Sequence, residues 1–265
     1  MYKQGVSMIF FRKKSVNTLI LLFFSIKAAL ASQSINYGYS FFDVEQYNSF
    51  ITLTAGPDFV SAGQVQTLQF LPSVQNDYTG NKHWKTVADL GVFIGVERIM
   101  TKQISAQLGV AAYADSVFSQ QGTVVQFTPS EMSEFPYSYR IRSTRIMLSS
   151  KLLTTLSLNQ CLRPYFSWEI GAGFNRPTGY NETPTTSSPV LVKHVSDKDQ
   201  ASFAWGVGIG MDYTINKHIR AGLGYQFANL GSASQHLTQD GITTRSFDLS
   251  HLYTNQLRFQ LTFLV

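Results

Sequence analysis

The stretch that most constrains the fold is Ala201–Ala228, which consists of two alternating arms around a short polar turn. In the first arm, the odd positions hold large apolar side chains, whereas the even positions hold glycine, small residues and Asp212. The second arm alternates in the same way from Ile219 onward. Because successive side chains of a β-strand point to opposite faces, each arm has one apolar face and one small or polar face. A polar face made of glycine and isolated charge favours a barrel with lipid outside and a narrow polar lumen.

The same alternation restricts the turn between the two arms. If odd residues face outward on both arms, the numbers of two directly paired residues must have an even sum. A three-residue loop at Ile215–Lys217 satisfies this rule and predicts that Trp205 pairs with Phe227 and Asp212 with Arg220. A five-residue loop has the same parity and remains an alternative.

The N-terminal stretch, residues 1–31, has the three parts of a secretory signal peptide. A basic region precedes the apolar core Asn17–Ile26, and Ala29–Ala31 forms an A-x-A cleavage site. We therefore expect export and cleavage after this site, followed by a periplasmic N-terminal segment at residues 32–48 and a barrel at residues 49–265. An uncleaved membrane anchor is the alternative.

Composition excludes several classes of function. Residues 1–31 hold five basic and no acidic residues, so the mature chain has equal numbers of the two and its charge gives no reason to expect nucleic-acid binding. Only 14% of the residues are charged, against about 25% in typical soluble domains. The single cysteine, Cys161, excludes a disulfide framework.

After residue 48, the alternation recurs in eight stretches that we predict to be strands. They are residues 49–56, 84–100, 104–112, 137–153, 163–175, 201–213, 219–228 and 257–265. Long polar segments, which we expect to be loops, separate them at residues 57–83, 114–136, 176–200 and 230–250 and alternate with short turns. An up-and-down arrangement then puts all long loops at one end and all turns at the other, as in bacterial outer-membrane barrels.

The glycine-rich face of these strands also carries charge. The charged residues on it are Asp89, Glu97, Arg145, Lys151, Glu169, Asp212, Arg220 and Arg258. A soluble lipocalin-like barrel, the alternative fold, would have to expose this glycine-rich face to water. We therefore predict an all-β fold, an eight-stranded antiparallel up-and-down transmembrane β-barrel.

Charges inside so narrow a lumen are expected to be paired, because an unpaired buried charge is costly. An interior of eight strands is just wide enough for side chains to fill it. We expect these residues to form an ion-pair network that plugs the lumen, with Arg145, Glu169 and Arg258 in its middle. A gate or ion path is the functional alternative.

Three segments carry a resemblance to a known group of proteins: the hairpin motifs GVGIG and GLGYQFA, the strand PYFSWEIGAGFN, and the final strand LRFQLTFLV. In these segments the chain resembles the small eight-stranded outer-membrane barrels, namely the OmpA transmembrane domain, opacity-type adhesins and related porin-family proteins. The resemblance covers roughly residues 49–265. It implies a place in the Gram-negative outer membrane, contact with lipid and lipopolysaccharide, and recognition of the final strand by the barrel-assembly machinery. A terminal Phe is usual in that signal, whereas this chain has Phe263 two residues before its final Val265.

Outward-facing aromatic side chains cluster toward the predicted strand ends. Those expected at the loop end are Phe174, Phe203, Trp205, Phe227 and Tyr253, and those expected at the turn end are Phe166, Tyr213 and Phe263. Two such belts fit the two interfaces of a bilayer. An aromatic site for a sugar or lipid is the alternative.

The histidines show no spacing typical of metal ligands, so we expect neither a metal nor a cofactor. Two enzyme classes resemble such barrels, a lipid A acyltransferase type and an outer-membrane protease type, and the resemblance implies that either would need a His with acidic or hydroxyl partners at the loop-end rim. His251 with Asp248 and Ser250 is the only local candidate, and such a trio is usually a solvated loop. We therefore predict no catalytic residues and no enzymatic activity.

The sequence thus favours a structural or adhesin-like outer-membrane protein whose surface-exposed loops meet a host or surface ligand. A narrow porin-like channel for small solutes is the alternative, and an outer-membrane enzyme is the third hypothesis.

Overall fold

The computed structural model describes residues 47–61, 65–71, 74–81, 83–101, 103–127, 132–156, 161–183, 193–196, 200–239, 242–249 and 252–265. The predicted signal peptide and all but the last two residues of the predicted segment 32–48 lie outside the described residues. None of the described residues belongs to a helix that is long and apolar enough to cross a membrane.

The described residues form antiparallel β-structure. The strands are β1 (Tyr47–Ser61), β2 (Val65–Leu71), β3 (Val74–Gly80), β4 (Lys85–Ile99), β5 (Ile104–Asp115), β6 (Phe118–Phe127), β7 (Met132–Thr154), β8 (Leu162–Glu182), β9 (Lys193–Ser196), β10 (Gln200–Thr214), β11 (Ile219–Asn229), β12 (Ala233–Gln239), β13 (Ile242–Leu249) and β14 (Tyr253–Leu264). Eight of these strands form a closed ring of pairs in the order β1, β4, β5, β7, β8, β10, β11, β14 and back to β1. This ring confirms the predicted eight-stranded antiparallel up-and-down barrel.

The alternation along each strand determines which side chains face the lumen. In β8, Trp168 is 43% exposed, whereas its neighbour Glu169 is 4% exposed. The outer face of the ring is apolar on every strand, with Leu90, Ile146 and Phe259 more than half exposed. A soluble barrel would bury such residues, so the predicted assignment of the faces is confirmed.

The register of the β10–β11 hairpin differs from the prediction by two residues, although the parity is right. The observed pairs include Trp205–Asn229, Asp212–Gly222 and Thr214–Arg220. The turn explains the difference, because the Asn216 side chain accepts two backbone N–H bonds of 2.8 Å from the residues that follow it. This Asx-type turn moves the three-residue loop to positions 216–218, and the predicted pair of Asp212 with Arg220 is wrong.

The segments predicted to be long loops fold largely into strands. β7 begins before its predicted start and β8 continues past its predicted end. β6, β3 and β2 add to the free side of β7 in that order. A second sheet has the order β13, β12, β9. We call β2, β3, β6, Met132–Arg142 of β7 and Arg176–Glu182 of β8 the β-extension.

The faces of β7 exchange their polarity at Ser143. The predicted strand begins at Tyr137, whereas the observed one begins at Met132. Before Ser143 the inward residues are Phe135, Tyr137, Tyr139 and Ile141, and after it they include Arg145, Ser149 and Lys151. The outward residues change from Glu134, Arg140 and Arg142 to Ile146, Leu148 and Leu152. An apolar-inside pattern is typical of a sheet in water, and a polar-inside pattern is typical of a barrel in lipid. The edge of the lipid-facing wall on β7 therefore lies between Arg142 and Thr144.

Candidate functional site

The structure places all of the charges predicted for the interior in the lumen of the ring. Each is buried, with Arg220 the most exposed at 7%. They belong to neighbouring and opposite strands, and the lumen is narrow enough for their side chains to meet across it.

Near the loop end of the lumen, Arg145 lies between two carboxylates. Its Nη2 atom donates to Asp89 Oδ1 at 2.9 Å and to Asp115 Oδ1 at 3.3 Å. Asp89 and Asp115 pair directly between β4 and β5, where like charges repel each other, so the Arg145 guanidinium compensates them. The guanidinium also lies 5.0 Å from the centre of the Tyr113 ring, and Arg258 Nε lies 3.6 Å from Asp89 Oδ2.

Glu169 is the principal acceptor in the middle of the lumen. It accepts hydrogen bonds from Tyr113 Oη at 2.5 Å, Ser149 Oγ at 3.1 Å and Gln226 Nε2 at 2.8 Å. Arg258 Nη1 lies 3.5 Å from the same carboxylate and also donates to the Gln226 side-chain oxygen. The Arg258 guanidinium lies 4.0 Å from the centre of the Tyr113 ring, so one aromatic ring contacts two guanidinium groups.

Two further ionic groups lie toward the turn end. Lys151 Nζ donates to Asp212 Oδ2 at 2.7 Å and to Gln260 Oε1 at 2.9 Å. Glu97 accepts both ends of the Arg220 guanidinium at 2.6 and 2.9 Å, the bidentate geometry typical of strong charge-assisted bonds. The lumen is therefore filled with ion pairs along its length.

The residues expected in mid-barrel are only partly in contact. Arg258 is near Glu169, but Arg145 reaches toward the loop end and binds Asp89 and Asp115 instead. Asp89 and the Tyr113 ring connect the two arginines, since each contacts both of them.

Sequence reasoning missed three charged residues of the lumen: Asp58, Asp115 and Arg163. Asp58 accepts from Gln256 Nε2 at 2.8 Å, and Arg163 Nη1 lies 3.4 Å from Glu97 Oε1. Asp58 and Asp115 were assigned to loops because their strands were ended too early. Continuing the alternation of β5 by one step beyond Tyr113 would have placed Asp115 in the lumen.

Little space remains between these side chains. A cavity of about 20 Å³ lies among Tyr113, Lys151, Tyr165, Glu169 and Arg258. A water molecule needs about 10–15 Å³ by this measure, so the cavity has room for about one. The network is therefore packed as a plug through the middle of the ring.

Above this network, the inward side chains form a hydrophobic core, which we call the apolar cap. Its buried members are Val60, Leu68, Tyr78, Val87, Phe118, Val124, Phe135, Tyr137, Tyr139, Ile141, Ala228, Leu230, Ala233 and Leu252, with Tyr180 packed against them. The Tyr137 ring is central, with centroid distances of 5.6 Å to Tyr78, 6.1 Å to Tyr139 and 5.9 Å to Tyr180. Aromatic contacts of this kind add to the stabilisation from burial alone.

Local backbone geometry and burial both shape this aromatic group. β8 has one more residue than β7 between the pairs Ser138–Asn181 and Arg140–Thr178, and Gly179 lies in this bulge with φ of 63°. The bulge turns Tyr180 inward, where its hydroxyl donates to Glu182 at 2.5 Å. Burial raises the pKa of the Tyr137 hydroxyl to about 12.

The predicted interface aromatics all face outward. Phe203, Tyr213 and Phe166 are among the most exposed of them, and Trp205, Phe227 and Tyr253 form a continuous row across β10, β11 and β14. The ring centroids in this row are 5.8 Å apart at both contacts. The remaining two, Phe174 and Phe263, are also on the outer face.

Comparisons with known proteins give structural matches only. No protein-family model and no curated protein matches the chain. The chain is similar to the outer membrane protein OprG from Pseudomonas aeruginosa, with 12% identity over 82% of this chain and 97% of that one and a TM-score of 0.46. It is also similar to Neisserial surface protein A, with 11% identity over 81% and 96% and a TM-score of 0.41. A third match is Ail, the attachment invasion locus protein of Yersinia pestis, with 7% identity over 83% and 99% and a TM-score of 0.37.

Among the described residues, no group of three or more His, Cys, Asp or Glu side chains is placed to hold a metal ion. His83, His218 and Cys161 are exposed. His251 and Ser250, and the side chain of Asp248, lie outside the described part of the chain. The predictions that the protein binds no metal or cofactor and is not an enzyme therefore stay predictions.

Proposed function

We propose that this protein is a non-conducting barrel of the Gram-negative outer membrane that presents its β-extension as an interaction surface. The observation that carries this proposal is the closure of the lumen by its ion-pair network. The lumen is filled by ion pairs around a cavity of about 20 Å³, and the apolar cap lies above it. A structural or adhesin-like role requires such a rigid support and needs no pathway through the barrel.

The chemistry of the outer wall supports a membrane location. Large apolar side chains cover the outer face of the ring on every strand, and an apolar area of this extent is stable only against lipid. Export through a cleaved signal peptide and assembly through the final strand belong to the same proposal. Phe263 lies on the outward face of that strand.

The form of the β-extension supports an interaction role. Strands that continue beyond the lipid-facing wall hold polar side chains outward on a sheet whose inner face is packed by the apolar cap. Such a surface presents side chains in fixed positions, which reduces the ordering entropy lost on binding. The ligand is proposed to be a host or other surface molecule.

Planar-bilayer conductance of the refolded protein tests the proposal. We expect no discrete conducting steps from the wild-type protein, because bare ions would have to displace the side chains around Glu169 and Arg258. Stable open steps from the wild-type protein would overturn the plugged barrel and favour the narrow channel. Hydrolysis of lipid or peptide substrates by the purified barrel would contradict the prediction that it is not an enzyme.

A further inference from the structure

The charges of the described lumen residues do not balance, because six carboxylates face five cationic groups. The carboxylates are Asp58, Asp89, Glu97, Asp115, Glu169 and Asp212, and the cationic groups belong to Arg145, Lys151, Arg163, Arg220 and Arg258. An uncompensated charge in a low-dielectric interior is costly. One bound proton would make this set of groups neutral.

The excess of negative charge lies toward the loop end, in Asp58, Asp89 and Asp115, which we call the aspartate cluster. Asp89 and Asp115 both accept from one nitrogen atom, Arg145 Nη2, at 2.9 and 3.3 Å. Asp58 accepts from an uncharged donor, Gln256 Nε2, at 2.8 Å. A single guanidinium group is therefore shared by two carboxylates, and the third carboxylate has an amide as its donor.

The surrounding strands do not supply the missing positive charge within the described part of the chain. Their other charged or titratable groups near the cluster are Arg258, Glu169, Tyr113 and Lys85. Arg258 Nε lies 3.6 Å from Asp89, but its Nη1 lies 3.5 Å from Glu169, so its charge is divided between the two. Tyr113 donates to Glu169, and Lys85, at the outer end of β4, forms no ion pair with the cluster in the described residues. The inward side chains of β10 and β11 at this level are uncharged.

Each residue of the aspartate cluster also has one buried oxygen atom without a donor. Asp58 Oδ1, Asp89 Oδ2 and Asp115 Oδ2 have no hydrogen-bond partner among the described residues, and none of the three side chains belongs to a residue more than 6% exposed. The hydroxyl of Ser143 is likewise unpartnered and fully buried, and the β5–β7 register, continued by one residue, places it beside Asp115. Since buried polar atoms are nearly always hydrogen-bonded, these oxygen atoms together indicate a missing donor.

A proton supplies such a donor and occupies no volume of its own. A carboxylate that takes up one proton from water loses its negative charge and gains an O–H bond that it can donate, and no other bond is broken. Asp89 and Asp115 pair directly at the level of Ser143, where the lipid-facing wall of β7 ends, and their carboxyl groups are within hydrogen-bonding reach of each other. Two carboxylates that share one site hold a common proton more firmly than either would alone.

We propose that the aspartate cluster is a proton-binding site that holds one proton at neutral pH, shared between Asp89 and Asp115. The proton makes the lumen neutral and joins the loop end of the ion-pair network into one hydrogen-bonded unit beneath the apolar cap. Its loss at alkaline pH leaves neighbouring carboxylates opposed by one guanidinium group, so the network is weakest there. The site goes beyond the proposed function, because it does not depend on which partner the β-extension binds.

Infrared spectroscopy of the refolded full chain in detergent micelles at pH 7 tests for the proton directly. A protonated carboxyl group has a C=O stretching band that a carboxylate lacks. We expect this band from the wild-type protein and its loss in Asp115→Asn, which keeps the size of the side chain and equalises the lumen charges. Asp77→Asn, the same substitution on the outer face of β3, is the control and should keep the band. If Asp115→Asn does not refold, Asp58→Asn removes one charge from the same cluster and should also lose the band.

The pH dependence of urea unfolding counts the same proton. An unfolded Asp titrates near about pH 3.9, so between about pH 5 and 7 the folded protein holds one proton that the unfolded chain has released. Stability therefore falls as the pH rises, and this proton should increase the equilibrium constant for unfolding by up to about tenfold per pH unit. Asp115→Asn should lack this part of the slope, and Asp77→Asn should retain it.

Two results would overturn the proton site. One is a wild-type protein without the band, and the other is a slope or a band that Asp115→Asn shares with the wild-type protein. The cluster would then be fully ionised and stabilised by water or a small cation, or the proton would lie elsewhere. Failure of the proposed function gives a different result, since a wild-type protein that has the band and the slope but conducts ions would keep the proton site and lose the non-conducting barrel.

Discussion

The lumen network and the apolar cap are lined by inward side chains of the same strands, yet their chemistry is opposite. On β7, Ile141 lies two residues before Ser143 and belongs to the cap, whereas Arg145 lies two residues after Ser143 and belongs to the network. The outer face changes at the same level, from Arg142 to Ile146. A sheet in water must bury an apolar face, whereas a barrel wall in lipid must turn its apolar face outward. The half of β7 in the β-extension therefore has an apolar inner face, as a sheet in water requires, and the half in the ring has a polar inner face, as a wall in lipid requires.

The two interiors are stabilised differently. The cap gains stability from removing apolar area from water and from close packing. In the network, desolvation of the charges offsets much of their attraction, so its contribution depends on complete pairing. The cap should tolerate small conservative changes, whereas the network should be damaged severely by the loss of one partner.

The largest effect is expected from Glu169→Ala in the network. The change leaves Arg258 without one carboxylate and removes the acceptor of Tyr113, Ser149 and Gln226. Breaking a buried pair costs about 3–5 kcal/mol, and we expect the free energy of unfolding in urea to fall by the upper part of this range. We also expect an ionic leak in planar bilayers.

The double variant Glu169→Ala/Arg258→Ala provides the control for that prediction. It removes both charges, so its loss of stability should be smaller than the sum of the two single losses. If Glu169→Ala unfolds at the same urea concentration as the wild-type protein and shows no conductance in planar bilayers, the lumen charges do not act as a paired plug.

A smaller effect is expected from Ile141→Ala in the cap. The side chain is fully buried, and its truncation leaves a cavity that costs about 3 kcal/mol. Because the ion pairs below it are unchanged, we expect no leak, in contrast to Glu169→Ala. A conducting Ile141→Ala variant would show that the cap, and not the network, closes the barrel.

The outer face offers a third comparison along β7. Lysine at Ile146 would lie in the lipid-facing wall and should cost about 2 kcal/mol, less than at the bilayer centre because the position is near the wall's edge. Lysine at Ser138, on the same face of the β-extension, should change stability by less than about 0.5 kcal/mol. Urea titrations in lipid vesicles measure the difference. Equal losses for Ile146→Lys and Ser138→Lys would contradict the boundary at Ser143.

The period of two in the sequence was sufficient to predict the eight ring strands and the inward direction of the eight charges assigned to the lumen, because neighbouring side chains must point to opposite faces. Of the β-extension it predicted only residues 137–142, as part of a ring strand. The rest was assigned to loops, because beyond Ser143 the alternation continues without an apolar outer face. The partners of Arg145 depend on the stagger of β4, β5 and β7, which short sequence patterns do not contain. Similarly, the two-residue change in register at the hairpin comes from hydrogen bonds of one side chain, Asn216.

The smallest effect concerns the pH dependence of the cap. Burial raises the pKa of Tyr137 from 10.0 to about 12, and burial also raises the pKa values of Tyr78 and Tyr180. Below pH 10 these hydroxyls are protonated in both the folded and the unfolded chain, so they do not make the free energy of unfolding depend on pH. Between pH 10 and 12 the unfolded chain loses the Tyr137 proton first, so stability falls by up to about 1.4 kcal/mol per pH unit for this group. Tyr137→Phe should remove that part of the slope. Urea unfolding at pH 9, 10 and 11 measures the slopes, and identical slopes for the wild-type protein and Tyr137→Phe would show that the Tyr137 hydroxyl reaches water.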